Sequence, residues 1–136
     1  MVIAMNYLSR DDILDLHGYV VERFGGRLGF NSHDRLVSLI AAPGLTMFGE
    51  QLYSDLPAKM AALCFALIKN RPFRSGNEAT ALLAALRFAA INNHAIDDVV
   101  ALSAELLATS RSERTQDSLV DWLSDHLLPT GTTQPE

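Results

Sequence analysis

Chemistry in this chain concentrates on one run of residues, Arg71-Pro72-Phe73-Arg74-Ser75-Gly76-Asn77-Glu78-Ala79-Thr80. Pro72 and Gly76 break the chain's helical pattern, and the apolar residues after Asn77 start a new helix. A loop that turns into a helix leaves backbone N–H groups without intrahelical acceptors. Together with the helix dipole they make a site for an anion. Arg71 and Arg74 flank that site, and a guanidinium fork suits carboxylate and phosphate alike. Ser75, Gly76, Asn77 and Thr80 complete the candidate anion- or ligand-binding set. Glu78, in the first turn of the new helix, is a candidate acid or base. The plainer alternative is a carboxylate that complements the dipole. In the same way Asn77 reads as a helix cap, Gly76 as a turn residue, and the two arginines as solvated loop charges.

The other chemically capable residues are scattered. His17 sits within a helical pattern and reads as a packing or hydrogen-bonding residue. His33, His94 and His126 have no mutual spacing that makes a metal site, so no metal ligands are assigned. The single cysteine, Cys64, lies among Met60, Ala61, Leu63, Phe65, Leu67 and Ile68 and reads as a small buried apolar residue. That usage fits a reducing cytoplasm.

The elements that must position the loop follow from periodicity and punctuation. Ser9 caps a helix over about residues 9–24, with Ile13, Leu14, Leu16, Val20, Val21 and Phe24 at helical spacing and Gly25-Gly26 as its stop. Asn31 or Ser32 caps a shorter helix that buries Leu36, Leu39 and Ile40 and ends at Pro43-Gly44. Residues 45–53 have no helical period and predict an extended, hairpin-like flap. Pro57 opens a third helix to about Asn70, apolar nearly all round and therefore central. A second central helix runs from about Asn77 to Asn92, rich in alanine. Asp97 or Asp98 starts a fifth helix through about Ala108, and Thr115 caps a sixth anchored by Trp122. The Thr-, Gly-, Pro- and Gln-rich residues 129–136 predict a disordered tail, which leaves one domain over 1–128.

Bulk properties agree with an all-α domain of about six helices. The 136 residues bury a core without a disulfide or metal. A net charge of −5 argues against a nonspecific nucleic-acid binder. The longest apolar runs fall short of the about 20 residues that span a bilayer, and Met1-Val2-Ile3-Ala4 does not open a secretory leader. A cytoplasmic protein with no membrane or nucleic-acid partner is expected.

The junction resembles the Fic motif in its Doc-type form, His-Pro-Phe-x-Asp-Gly-Asn-Lys-Arg-Thr-Ala. Tyr7-Leu8-Ser9, Leu16-His17, Phe24-Gly25-Gly26, Gly29, Ala41-Ala42-Pro43, Thr46-x-Phe48-Gly49, Leu52-Tyr53, Lys69-Asn70, Asn92-Asn93 and Trp122-Leu123 fall where Doc-like (death-on-curing) proteins carry similar residues. The resemblance covers roughly residues 7–125. It implies a Fic/Doc-type helical bundle whose flap pairs with a target's backbone as an added strand, with Thr46, Phe48, Gly49 and Tyr53 as the partner-facing residues.

The departures from the motif carry the functional expectation. The resemblance implies a motif histidine as general base on a target's hydroxyl, and that position is Arg71, which accepts no proton at neutral pH. The acidic residue that holds Mg²⁺ against nucleotide phosphates falls on Ser75, a far poorer ligand for a hard cation. The phosphate-binding lysine and arginine fall on Glu78 and Ala79, and a usual acidic residue of the second helix falls on Val37. Phe73, Gly76, Asn77 and Thr80 match. Loss of a general base alone costs a factor of about 10² to 10⁴. The expectation is a degenerate toxin-like or binding domain without Mg-ATP or another cofactor, whose partner is a small antitoxin-like protein or a protein target at the flap. The alternative is a repurposed enzyme in which Glu78, Arg71 and Arg74 act on a different small molecule in the motif cleft. A still-active Doc-like toxin modifying a translation factor comes third.

Overall fold

Two helices form the centre. The computed structural model of the chain describes residues 4–130, and within it α3 (Leu56–Asn70) packs along α4 (Asn77–Ile91). Asp55 caps α3 by accepting the Ala58 N–H at 3.0 Å, and Pro57 occupies its first turn. The helix is buried on nearly every side, through Met60, Ala61, Leu63, Cys64, Leu67 and Ile68. On α4 the small residues Ala81, Ala85 and Ala89 recur every four positions and are fully buried. They let the helices approach until the Cys64 thiol reaches the Ala81 carbonyl at 3.5 Å.

The other elements wrap this pair. α1 (Arg10–Phe24) packs on α4, α2 (His33–Ala41) on α3, and α5 (Val99–Ser110) and α6 (Gln116–His126) close the bundle. Six helices are present among the described residues, as the periodicity predicts. Their starts are set by side-chain caps. Ser9 accepts from Asp12 N–H in a full capping box, Ser32 from Arg35, Asp98 from Ala101, and Thr115 from Ser118. Of the paired cap candidates, then, Ser32 and Asp98 carry the role. At α4 the sequence-based cap is corrected. Gly76 is the cap, at φ 77°, and Asn77 is the first helical residue. A Cβ on Gly76 would sit 3.0 Å from the Val20 side chain of α1, so both the backbone angle and the space require glycine.

The segment 45–53 is a hairpin, as expected. β1 (Thr46–Met47) pairs antiparallel with β2 (Glu50–Gln51) around a Phe48-Gly49 turn. A second small ladder was not foreseen. β3 (His94–Ile96) pairs with β4 (Leu127–Pro129), Ile96 opposite Leu127 and His94 opposite Pro129. Thr130 N–H continues it to the Asn93 carbonyl at 2.9 Å. Pro129 and Thr130, assigned to the tail by composition, are therefore part of the folded unit. Residues 131–136, the rest of that tail, lie outside the described residues. Two apolar residues also depart from their expected places. Phe24 is exposed at the end of α1, and Trp122 is half-buried and stacks on His126 at 4.0 Å while Leu119 and Leu123 fill the core.

Burial pushes the Cys64 thiol up to about 12 from its ordinary 9.0. The native protein is therefore expected to resist alkylation by iodoacetamide at mildly alkaline pH and to react at once in denaturant. Because the unfolded thiol ionises near 9.0 and the folded one only near 12, stability falls as pH rises between them. Rapid alkylation of the native state, followed by mass spectrometry, would contradict this placement.

Candidate functional site

The loop 71–76 joins the two central helices, and its shape is held from inside. α3 ends because Arg71 turns left-handed at φ 45°. Phe73 then folds into the core. Its ring stacks on His17 of α1, with centroids 3.7 Å apart and planes at 7°, and on Phe30 at 5.8 Å. Asn77 is fully buried, and its side chain reaches back to the loop. Oδ1 accepts the Phe73 N–H at 3.1 Å and Nδ2 donates to the Phe73 carbonyl at 2.9 Å. Thr80, one turn on, is also buried, and its hydroxyl has no hydrogen-bond partner among the described residues. His17 is the packing and hydrogen-bonding residue its pattern predicts, donating from Nε2 to the Ser75 carbonyl at 2.9 Å.

A second loop, 25–31, lies against the first. Asn31 donates from Nδ2 to the carbonyls of Arg71 and Phe73, and its N–H bonds the Pro72 carbonyl at 2.7 Å. Arg74 N–H bonds the Gly29 carbonyl at 3.1 Å, and the Arg74 side chain lies over Gly29. Ser75 Oγ accepts the Arg27 N–H at 2.8 Å and donates to the Arg27 carbonyl at 3.2 Å. This contact needs Gly26, at φ 114°, where a Cβ would come 2.5 Å from Ser75 Oγ.

On the outer side the structure brings Arg71 and Glu78 together. Arg71 Nη1 donates to Glu78 Oε2 at 2.8 Å across the mouth of the loop, with both side chains partly exposed. Beside Glu78 a cavity of about 330 Å³ opens between α4 and α5. Ala79, Leu82, Leu106 and Leu107 form its apolar walls. Arg74 is exposed on the same loop as Arg71, and Val37 is exposed on α2. Among the described residues no cluster of His, Cys, Asp or Glu could hold a metal ion.

At the flap, Thr46 and Gly49 are exposed, Tyr53 is half-buried, and Phe48 is 97% exposed at φ 53°. A phenylalanine that is both bare to solvent and left-handed has no packing to explain it. The residue missed in sequence is Lys59. It falls in an apolar run of α3 and is 1% exposed. Its ammonium donates to the Pro43 carbonyl at 3.0 Å and to Gln51 Oε1 at 2.6 Å, and lies 5.3 Å from the centre of the Tyr7 ring. Gln51 belongs to β2, so this buried cation ties the flap to the core. The only sequence signal was a lysine where an all-round apolar helix should have none.

Residues 7–89 match the family described as the Fic/DOC family. The chain is also similar to the protein named Toxin Doc of Mycolicibacterium smegmatis (strain ATCC 700084 / mc(2)155), with 36% identity over 86 residues. That stretch is 63% of this chain and 64% of that protein, so it spans less than two-thirds of the relative.

The Lys59 geometry yields a test. Lys59→Met keeps volume but leaves the Pro43 carbonyl without its donor, at a cost of about 1–3 kcal/mol. Hydrogen exchange should quicken at residues 45–52 while amides of α3 and α4 keep their rank as the most protected. Flap amides that exchange no faster than in the wild type would show that Lys59 does not hold the flap.

Proposed function

The chain belongs to the Fic/DOC family, and we propose that within this fold it is a toxin-like or binding domain that no longer transfers nucleotides or phosphate. The observation that carries this reading is the Arg71–Glu78 ion pair at 2.8 Å. Arg71 stands where the motif resemblance puts the general base, and a guanidinium takes up no proton at neutral pH. Glu78 stands where a phosphate-binding lysine is expected, and it satisfies Arg71 instead. A polyphosphate would have to part the two and then lie against a carboxylate.

The residues present do not fit a Mg²⁺-nucleotide elsewhere in the motif either. The Ser75 hydroxyl, at the position of the acidic metal ligand, is bonded on both sides to the Arg27 main chain. Ala79, at the position of the arginine, ends at Cβ. Asn77 and Thr80 are directed into the scaffold. No cofactor is therefore assigned.

The partner belongs at the flap. Phe48 with Thr46, Gly49 and Tyr53 offers an aromatic tip and free strand edges to a small antitoxin-like protein or a protein target, a reading supported by similarity to a protein named a toxin. No helix among the described residues is long and apolar enough to cross a membrane. A cytoplasmic location is supported by the buried thiol, which suits a reducing compartment. A second reading, a repurposed enzyme using Glu78, Arg71 and Arg74, has one observation in its favour, the apolar cavity beside Glu78.

Calorimetric titration with Mg-ATP is expected to give no saturable heat. The combined replacement Arg71→His, Ser75→Asp, Glu78→Lys and Ala79→Arg is expected to create magnesium-dependent ATP binding on the same scaffold. Micromolar Mg-ATP affinity in the unmodified protein would refute the reading.

A further inference from the structure

Helix α5 turns an uncharged, apolar face to solvent. Its inner residues Leu102, Leu106 and Thr109 are buried against the bundle. Its exposed residues are Val99, Val100, Ala104 and Leu107, and Val100 is 81% exposed. Val100, Ala104 and Leu107 fall at i, i+4 and i+7, so they line one stripe along the helix. Every other helix shows charge to solvent: Asp15 on α1, Asp34 on α2, Lys69 on α3, Arg87 on α4 and Asp121 on α6. Between Asp98 and Arg111 α5 shows none. Its single charged residue, Glu105, is half-buried and paired with Arg114 at 3.0 Å.

An apolar helix face of this kind fits another helix, and its own pattern selects which. Ser103 and Ala104 lie at the midpoint of the stripe, with Val100 three residues before and Leu107 three residues after. On a second α5 laid antiparallel, small residues meet small residues at the two-fold axis, and Val100 of each copy meets Leu107 of the other. The ends match as well. Asp97 and Asp98 are exposed where α5 starts, and Arg111 is exposed where it ends. No ion pair among the described residues engages Arg111. Antiparallel pairing sets each Arg111 near the other copy's Asp97 and Asp98, and it opposes the two helix dipoles. A lipid surface favours basic flanks instead, and two aspartates contradict that.

We propose that α5 is the self-association surface of this protein. Two copies pair antiparallel through Val100, Ala104 and Leu107, about a two-fold axis beside Ser103 and Ala104. The helix has 12 residues and spans about 18 Å. That contact is small for a stable dimer, so the dimer is weak, with a Kd on the order of 10–100 µM.

Sedimentation equilibrium of the intact protein reads the outcome. The weight-average mass is expected to rise from that of one chain toward that of two between about 5 and 500 µM. Ala104→Arg sets like charges on the axis and should weaken association at least about tenfold. Residue 104 is exposed, so the variant should keep the wild-type circular dichroism. Under mild oxidation Ala104→Cys should give a disulfide-linked dimer, because the native Cys64 is buried. Chains carrying Val100→Cys should cross-link to chains carrying Leu107→Cys in preference to their own kind. Asp121→Cys, exposed on α6, serves as the control that does not cross-link. A mass of one chain up to about 500 µM overturns the proposal and leaves the face to a different protein. So does a dimer that Ala104→Arg leaves intact, a preference for linkage between like chains, or a control that cross-links as readily as Ala104→Cys.

Discussion

Everything at this site depends on one buried amide. Asn77 sits with no solvent contact at the start of α4, and both ends of its side chain are used on a single residue, the N–H and the carbonyl of Phe73. That clasp closes the loop between the two central helices. It also decides where Phe73 points, and Phe73 in turn joins α1 through the His17 ring to the 25–31 loop through Phe30. Without it the Phe73 N–H would be left unsatisfied in the core, costing about 1–3 kcal/mol, and the Phe73 carbonyl would keep only the Asn31 donor. Three segments distant in sequence are thus registered by one side chain of the right length and polarity.

The loop also tolerates a strained residue, which other contacts hold. Arg71 holds a left-handed backbone that disfavours side chains by about 1–2 kcal/mol. Its carbonyl accepts from Asn31, and its guanidinium meets Glu78 where α4 begins. The turn that ends α3 therefore aims position 71 at the first turn of α4. Whatever occupies positions 71 and 78 is brought face to face. Here the pair has opposite charge and closes on itself.

The sequence was legible where physics is local. Ser9, Ser32, Asp98 and Thr115 announce helix starts because a capping side chain acts within three residues of itself. The flap was legible as a loss of helical period over residues 45–53. β3 and β4 were not, because three-residue strands carry no alternation and their pairing joins residues thirty or more apart. At the site, the motif exposed its spacing, but the Arg71–Glu78 pair spans a loop, not a helix face, and follows no helical rule. Lys59 was hidden for a different reason. Periodicity reads a charged residue as a solvated face, and only the positions of Pro43, Gln51 and Tyr7 show that its acceptors lie inside. The cavity beside Glu78 is a product of how α5 rests on α4, which no single segment encodes.

The motif residues divide by depth, apart from Gly76, which is half-buried and is fixed by its backbone angle and by Val20. Pro72, Phe73, Asn77 and Thr80 are buried. Replacing any of them opens a cavity, leaves an unpaired polar group or releases the loop, so folding constrains them whether or not anything binds outside. Arg71, Ser75, Glu78 and Ala79 are exposed or half-buried, where substitutions typically change stability by less than about 0.5 kcal/mol. Folding constrains that set less, chiefly through the Ser75 bonds to the Arg27 main chain. In the proposed reading, the four positions that differ from the Doc-type form belong to the outer set, and Phe73, Asn77 and Thr80 belong to the inner one. The buried part of the motif is therefore held by stability alone, whatever binds outside. The outer four residues are where activity has to be read, and in this chain they present a closed ion pair, a hydroxyl tied to main chain and a methyl group beside an apolar cavity.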